Sequence, residues 1–156
     1  MQLAIASPAG PLVLTEQAGK IVSLNFADRP AAGKSLASPL LREAAKQLAA
    51  YFARRLEDFD LPLAADGTPF QKLVWRRMRK IAYGETMSYG EMAEALSTGP
   101  RAIGGACAGN PICILIPCHR VLGAHGALGG YSGAGGLATK RYLLELEGAT
   151  ARARCA

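Results

Sequence analysis

The apolar residues of this chain turn to mainly helical spacing at Thr68-Pro69-Phe70-Gln71, and that change constrains the fold more than any other feature. Before it, apolar residues come in short or alternating runs, Gln2 to Ala6, Leu12 to Glu16 and Ile21 to Phe26. Pro8-Ala9-Gly10-Pro11 and Ala18-Gly19-Lys20 separate them as turns. Alternation lays one face of a strand on a core, and short strands joined by tight turns predict an antiparallel meander. Arg29 to Ser38 reads as a loop. Ser38-Pro39 then opens a helix with an N-cap and a proline at the first helical position. Leu41, Ala44, Ala45, Leu48 and Phe52 form its apolar stripe, and Asp58 to Gly67 reads as a linker.

After the change the spacing is helical. Thr68 to Gln71 combines a capping box with Pro69 at the first helical position. Phe70, Leu73, Val74, Met78 and Ile81 mark the buried side of a helix ending at Tyr83-Gly84, with Lys72, Arg76, Arg79 and Lys80 mainly on its other faces. Ser88-Tyr89-Gly90-Glu91 is a second capping box, opening a short helix through Met92, Ala93 and Leu96. Thr98-Gly99-Pro100 breaks it, and Arg101 to Ala106 forms a third. Two short helices across a glycine-containing turn fit a helix-turn-helix, and fit an ordinary helical hairpin equally. Gly104 and Gly105 each weaken their helix by about 1 kcal/mol relative to alanine. Close approach of that helix to another backbone, or to DNA, would offset the cost. The last helix runs from Leu137 to Glu147, with Gly148 just past its end. Strands first and helices after define an α+β chain. It divides into an N-terminal β/α unit at 1–63, a helical domain at 64–150 and a tail at 151–156.

With 156 residues, half of them apolar, such a chain buries a core without disulfide staples. That composition excludes disorder, collagen and coiled coil as its overall state. No apolar run approaches the roughly 18 residues of a membrane span. The N-terminus lacks the basic and apolar regions of a signal peptide, so the cytoplasm is the expected compartment. There Cys107, Cys113, Cys118 and Cys155 are expected as free thiols. The net charge is +6, and no acidic residue occurs from Ala95 through Leu144. Nucleic acid is one partner such a charge suits; a solvated helix face is the plainer reading of the charge alone.

The chemistry concentrates after Asn110-Pro111, a turn signal. Ile112 to Ile116 is a short buried run that Pro117 ends. Cys118 therefore stands where a buried run emerges into a turn, followed by His119 and Arg120. Both neighbours favour the thiolate, the reactive form of cysteine. Cys107, Cys113 and Cys155 read as small hydrophobes or incidental thiols. Cys113, Cys118, His119 and His125 do not have the spacing of a zinc site, so no metal is expected. A glycine-rich loop, Gly123 to Gly136, carries Tyr131 and Ser132 and suits a pocket wall. Glu145 and Glu147 oppose the dipole of the last helix at about 0.3–1 kcal/mol each. A second role, such as orienting an imidazole, or simple surface placement would both account for them.

At Pro117-Cys118-His119-Arg120-Val121 the chain resembles the O6-alkylguanine–DNA alkyltransferases, also called methylated-DNA–protein-cysteine methyltransferases. The resemblance covers nearly all of 68–148, through Thr68-Pro69-Phe70-Gln71, Tyr83-Gly84-Glu85-Thr86, Ser88-Tyr89, Arg101-Ala102-Ile103-Gly104, Asn110-Pro111, Gly130-Tyr131-Ser132-Gly133 and Glu147-Gly148. It implies a ribonuclease-H-like N-terminal unit beside a helix-turn-helix catalytic domain. It also implies single-turnover transfer of an alkyl group from O6-alkylguanine, and from O4-alkylthymine, in duplex DNA to a cysteine. Minor-groove binding and a flipped-out target nucleotide come with it. No cofactor and no membrane are implied, and the protein is expected as a monomer.

The resemblance also implies roles. Cys118 matches the alkyl acceptor, His119 its activating base and Glu147 the carboxylate that orients His119. Asn110 matches a brace of the turn, and Tyr89 a residue assisting nucleotide rotation and proton delivery. Arg101 matches a finger replacing the flipped base, with Ala102 and Gly104 beside it on the DNA-binding helix. Val121, through its carbonyl, and Tyr131, Ser132 and Gly133 match the guanine pocket. The turn before Arg101 is shorter than the family's usual one, and the loop after Ser132 is longer. Ala108-Gly109 replaces the basic segment that often precedes the Asn-Pro turn. A non-catalytic lesion binder and an unrelated Cys-His hydrolase are the rival readings; Cys118 opposes the first, and no second motif supports the other.

Overall fold

A computed structural model describes residues 1–27, 37–128 and 136–149. Three strands, β1 (Gln2–Ile5), β2 (Leu12–Gln17) and β3 (Lys20–Phe26), form an antiparallel sheet in the order β1-β2-β3. Leu12 and Leu14 alternate inward on β2, as the sequence pattern requires. On β3 the fully buried residues are Ile21 and Leu24, whose odd spacing would put them on opposite faces of a regular strand. A register shift between Thr15 and Glu16 resolves this: Ser23 pairs with Thr15 and Ile21 with Glu16, passing over Val22. The bulge thereby turns both apolar side chains to the core.

Helix α1 (Pro39–Phe52) crosses this sheet. Ser38 caps it by accepting from the Leu41 N–H at 3.1 Å and donates its own hydroxyl to Glu16. The buried stripe is Leu41, Ala44, Leu48 and Tyr51. Tyr51, absent from the expected stripe, lies deeper than Phe52 and continues the helical row from Leu48.

The stretch expected as a linker is instead bound to the sheet. The Ile21 N–H donates to Pro62 O at 2.9 Å, the Ala64 N–H donates to Ile21 O at 2.9 Å, and Leu61 is buried. Farther along the same edge of β3, the Leu24 N–H donates to Pro111 O at 3.0 Å and the Cys113 N–H to Leu24 O at 3.1 Å. Two segments distant in sequence thus pair with one strand, and the main apolar cluster joins residues from Leu12 to Leu146.

Helix α2 (Pro69–Met78) carries the full capping box at Thr68 and Gln71. It ends earlier than its apolar pattern suggests, because a tight turn in which the Ile81 N–H donates to Met78 O replaces its last turn. Leu73 is exposed, and Trp75 takes its place in the core, where the indole N–H donates to Ala106 O at 2.9 Å. A short strand, β4 (Met87–Ser88), pairs in parallel with β5 (Val121–Leu122). Helices α3 (Tyr89–Ala95) and α4 (Pro100–Ala108) follow as a helix-turn-helix pair, with Ser97 at φ 54° in the turn. Only half of the expected capping box opens α3: Ser88 Oγ accepts from the Glu91 N–H at 2.9 Å. Among the described residues no atom outside the helix lies within 4 Å of a Cβ built on Gly104 or Gly105, so no described backbone accounts for these glycines. Helix α5 (Leu137–Leu146) ends with Glu147 at its cap and Gly148 at φ 76° beyond it.

Candidate active site

Asn110, Pro117 and Ile114 shape the turn that presents Cys118. Asn110 is buried; its Nδ2 donates to Ile116 O at 2.9 Å and its Oδ1 accepts from the Ile112 N–H at 3.0 Å. One side chain therefore ties both ends of the run Ile112–Ile116. Ile114 takes φ 71°, a left-handed conformation that costs a β-branched residue energy. Pro117 then directs the chain into a single turn of 3-10 helix, Cys118–Arg120, leading into β5.

All three side chains of that turn are buried. The Cys118 thiol sits below the ordinary cysteine value. A hydrogen bond from Cys113 is the largest cause; burial opposes it, while Asn110, the charge of Lys140 and the Cys118 backbone N–H add to it. His119 is fully buried, with its Nε2 at 2.7 Å from Glu147 Oε2. Its Nδ1 is the one buried side-chain polar atom without a partner among the described residues. Burial holds the imidazole below its ordinary value; Glu147 opposes that, and the charges of Arg120 and Lys140 reinforce it.

Glu147 is the hub. Its Oε1 accepts from Arg120 Nε at 2.9 Å, and its Oε2 accepts from Arg120 at 3.0 Å and from the Tyr51 hydroxyl at 2.6 Å. Burial raises this carboxyl, but the hydrogen bonds and charges of His119 and Arg120 outweigh it and bring the value to about 2. Because burial keeps His119 neutral at neutral pH, Arg120 supplies the standing positive charge. Arg120 also donates to Ile81 O at 2.7 Å and lies 5.9 Å from the Tyr83 ring centroid. A glycine is required at Gly84, which has φ +79° and whose added Cβ would meet Glu147 O at 3.1 Å.

On the other side of the turn, Lys140 reaches in from α5. It is fully buried, donates to Val121 O at 2.7 Å and lies 3.5 Å from the Tyr89 hydroxyl. Burial lowers its ammonium value, against the pull of Cys118 and Cys107. Tyr89 is pushed up to about 12 by burial and by the two nearby thiols, Cys107 and Cys118. The structure thus brings Cys118, His119, Glu147, Asn110, Val121 and Tyr89 around one turn. Arg101 and Ala102 are exposed on α4 and Gly104 is half-buried there. Tyr131, Ser132, Gly133 and Cys155 lie outside the described residues.

Sequence reasoning missed Tyr51 and the inward turn of Lys140. Lys140 carries a signal, since it precedes Leu143 and Leu144 at helical spacing on the buried side of α5. Tyr51 carries only its place one turn after Leu48. Among the described residues no group of three or more His, Cys, Asp or Glu could hold a metal, and no helix is long and apolar enough to cross a membrane.

Comparison with known proteins matches both halves of the chain. Residues 3–65 match the family model for the 6-O-methylguanine DNA methyltransferase ribonuclease-like domain, and residues 69–149 match the model for the DNA binding domain of the same family. A methylated-DNA–protein-cysteine methyltransferase of Methanosarcina acetivorans is 45% identical over 152 residues, covering 91% of this chain and 94% of the relative. One of Mycobacterium tuberculosis is 44% identical over 149 residues, covering 92% and 89%. The crystal structure of Mycobacterium tuberculosis OGT in complex with DNA superimposes with a TM-score of 0.82 at 41% identity, covering 97% of this chain and 96% of that one. Matched along nearly its whole length by both parts of one family and by relatives this similar, the chain belongs to the 6-O-methylguanine DNA methyltransferases.

Proposed function

We propose that this protein repairs DNA by moving the alkyl group of O6-alkylguanine onto Cys118 Sγ, once per molecule. One observation carries the reading: a buried thiol held below its ordinary value stands beside a buried imidazole whose Nδ1 has no partner among the described residues and whose Nε2 rests on Glu147. The neutral tautomer that this network selects keeps the proton on Nε2 and a lone pair on Nδ1. The Cys118 proton passes to Nδ1 through a water, and Glu147 holds the imidazolium that forms. Arg120 keeps Glu147 ionised throughout.

The thiolate then attacks the alkyl carbon. The carbon–sulfur bond forms as the carbon–O6 bond breaks, and guanine leaves with the electron pair. Tyr89, protonated near neutral pH because its value is about 12, gives the guanine a proton that water replaces. The thioether has no hydrolytic exit, so the protein is consumed. O4-alkylthymine presents the same oxygen-bound alkyl carbon and is a substrate in the same scheme. A carbonyl has two lone pairs, so Val121 O serves the base amino group beside Lys140. Tyr131, Ser132 and Gly133 complete the pocket wall.

DNA is read by α3 and α4 from the minor groove. Arg101, exposed in the first turn of α4, fills the gap left by the flipped nucleotide. The open space over Gly104 and Gly105, beside Ala102, lets the groove wall approach the helix. Residues 1–63 and 64–150 act as two units on one core, as a monomer. The free thiols Cys107, Cys113 and Cys118 suit a reducing compartment, the cytoplasm.

Intact mass after incubation with duplex DNA bearing O6-methylguanine tests this. One added methyl, mapped to Cys118 and saturating at one per molecule, is expected. An unchanged mass with the lesion retained would instead make the protein a non-catalytic lesion binder.

A further inference from the structure

The hub carboxylate receives one bond from outside the catalytic half of the chain. Tyr51 belongs to α1, is fully buried and donates to Glu147 Oε2 at 2.6 Å, across 96 residues of sequence. The acceptor is the same oxygen that faces His119 Nε2 at 2.7 Å. The phenol is held by rings on three sides: Phe52 and Phe59, each with its centroid 5.3 Å away, and Tyr83 at 6.2 Å. It is a neutral donor; burial, reinforced by Glu147, moves its ionisation far above neutral pH.

We propose that Tyr51 is a positioning residue of the active site, supplied by the N-terminal unit: its hydroxyl fixes Glu147 Oε2 and limits the negative charge that this oxygen lends to His119. The inference rests on the reading of His119 as the base. A hydrogen bond to a carboxylate oxygen draws charge from it. Less charge on Oε2 means a less stabilised imidazolium, so His119 stays neutral and able to accept a proton. The other groups facing the pair are fixed in sign. Arg120, beside His119, and Lys140, from α5, disfavour the imidazolium, and Glu147 favours it. Cys118 precedes His119 in the same turn, and Tyr83 faces Glu147, with Glu57 and Arg54 beyond it. Tyr51 is the member of this set that α1 contributes.

The chain has two histidines, His119 and His125, so imidazole nitrogen NMR on histidine-labelled protein follows His119 directly, with His125→Asn giving the assignment. In Tyr51→Phe the His119 titration is expected to move upward by about one pH unit, a tenfold gain in proton affinity. The acid limb of the alkyl-transfer rate should move with it while the plateau at higher pH is retained. In a Glu147→Gln background, Tyr51→Phe should leave the His119 titration where it is. A Tyr51→Phe protein that loses rate equally at all pH values, with the His119 titration unmoved, would overturn the proposal and leave Tyr51 a packing residue. A wild-type protein that transfers no alkyl group would defeat the functional reading alone, because the NMR shift is read without any substrate.

Discussion

Replacing Arg120 with methionine isolates its ion pair with Glu147. Methionine fills most of the same volume but removes both guanidinium bonds to Glu147 and the bond to Ile81 O. Breaking a buried pair by deleting one partner costs about 3–5 kcal/mol, since the other charge is left in the interior. In urea this lowers the unfolding midpoint by about 2 M. The loss should depend on pH, and its sign follows from Glu147. In the wild type this carboxyl is held at about 2 against an ordinary 4.5, so it adds stability above 4.5 that is lost as pH falls towards 2. At about 1.4 kcal/mol per tenfold change in proton affinity, that contribution is about 3 kcal/mol. Without Arg120, Glu147 keeps the His119 bond but loses the guanidinium bonds and charge that also hold it down, so its carboxyl rises and its charged form stabilises the fold less near neutral pH. The deficit of the variant is therefore largest at neutral pH and smaller near about pH 3.5. Urea titrations followed by tryptophan fluorescence at the two pH values measure it. A deficit equal at both would mean that packing, not charge, is what Arg120 contributes.

Three further outcomes are expected. Cys113→Ala removes the largest influence lowering the Cys118 thiol, so reaction with iodoacetamide should slow at neutral pH and recover as pH rises, while Cys113→Ser restores the donor and the wild-type profile. Arg101→Ala should weaken repair in duplex DNA far more than reaction with a free alkylguanine base, and equal losses would remove Arg101 from the DNA contact. Gly84→Ala forces a left-handed alanine against Glu147 O and should cost about 1–3 kcal/mol in denaturant stability, together with a slower alkyl transfer.

The local structure was legible where one residue type decides it. Ser38-Pro39, Thr68-Pro69 and Gly148 mark helix ends because caps and prolines act within a turn, and the alternation of Leu12 and Leu14 orients β2. The turn at Asn110-Pro111 and the Cys118-His119-Arg120 run after Pro117 marked the candidate site for the same reason. What the sequence hid is long-range. Asp58 to Gly67 has the composition of a linker, and only its pairing with Ile21 makes it part of the sheet. The bulge at Val22 follows from the need to bury both Ile21 and Leu24, which no local preference announces. Lys140 reads as surface charge until α5 is seen to turn it towards Val121. Tyr51 and Glu147 meet only after α1 and α5 have packed on a common core.

The outer edge of β3 has an implication for how the chain is made. Synthesis delivers the N-terminal strands and α1 long before Pro111 to Cys113 leave the ribosome. Until then the Leu24 position of that edge offers a free N–H and C=O to any strand that passes. The first strap, Pro62 to Ala64, comes early and covers the neighbouring Ile21 position, shortening the exposed stretch. The segment that closes the rest is the one that carries the chain on to Cys118. A nascent N-terminal unit thus carries an open strand edge that the finished molecule does not, and placing the segment that leads to Cys118 is also the step that seals it.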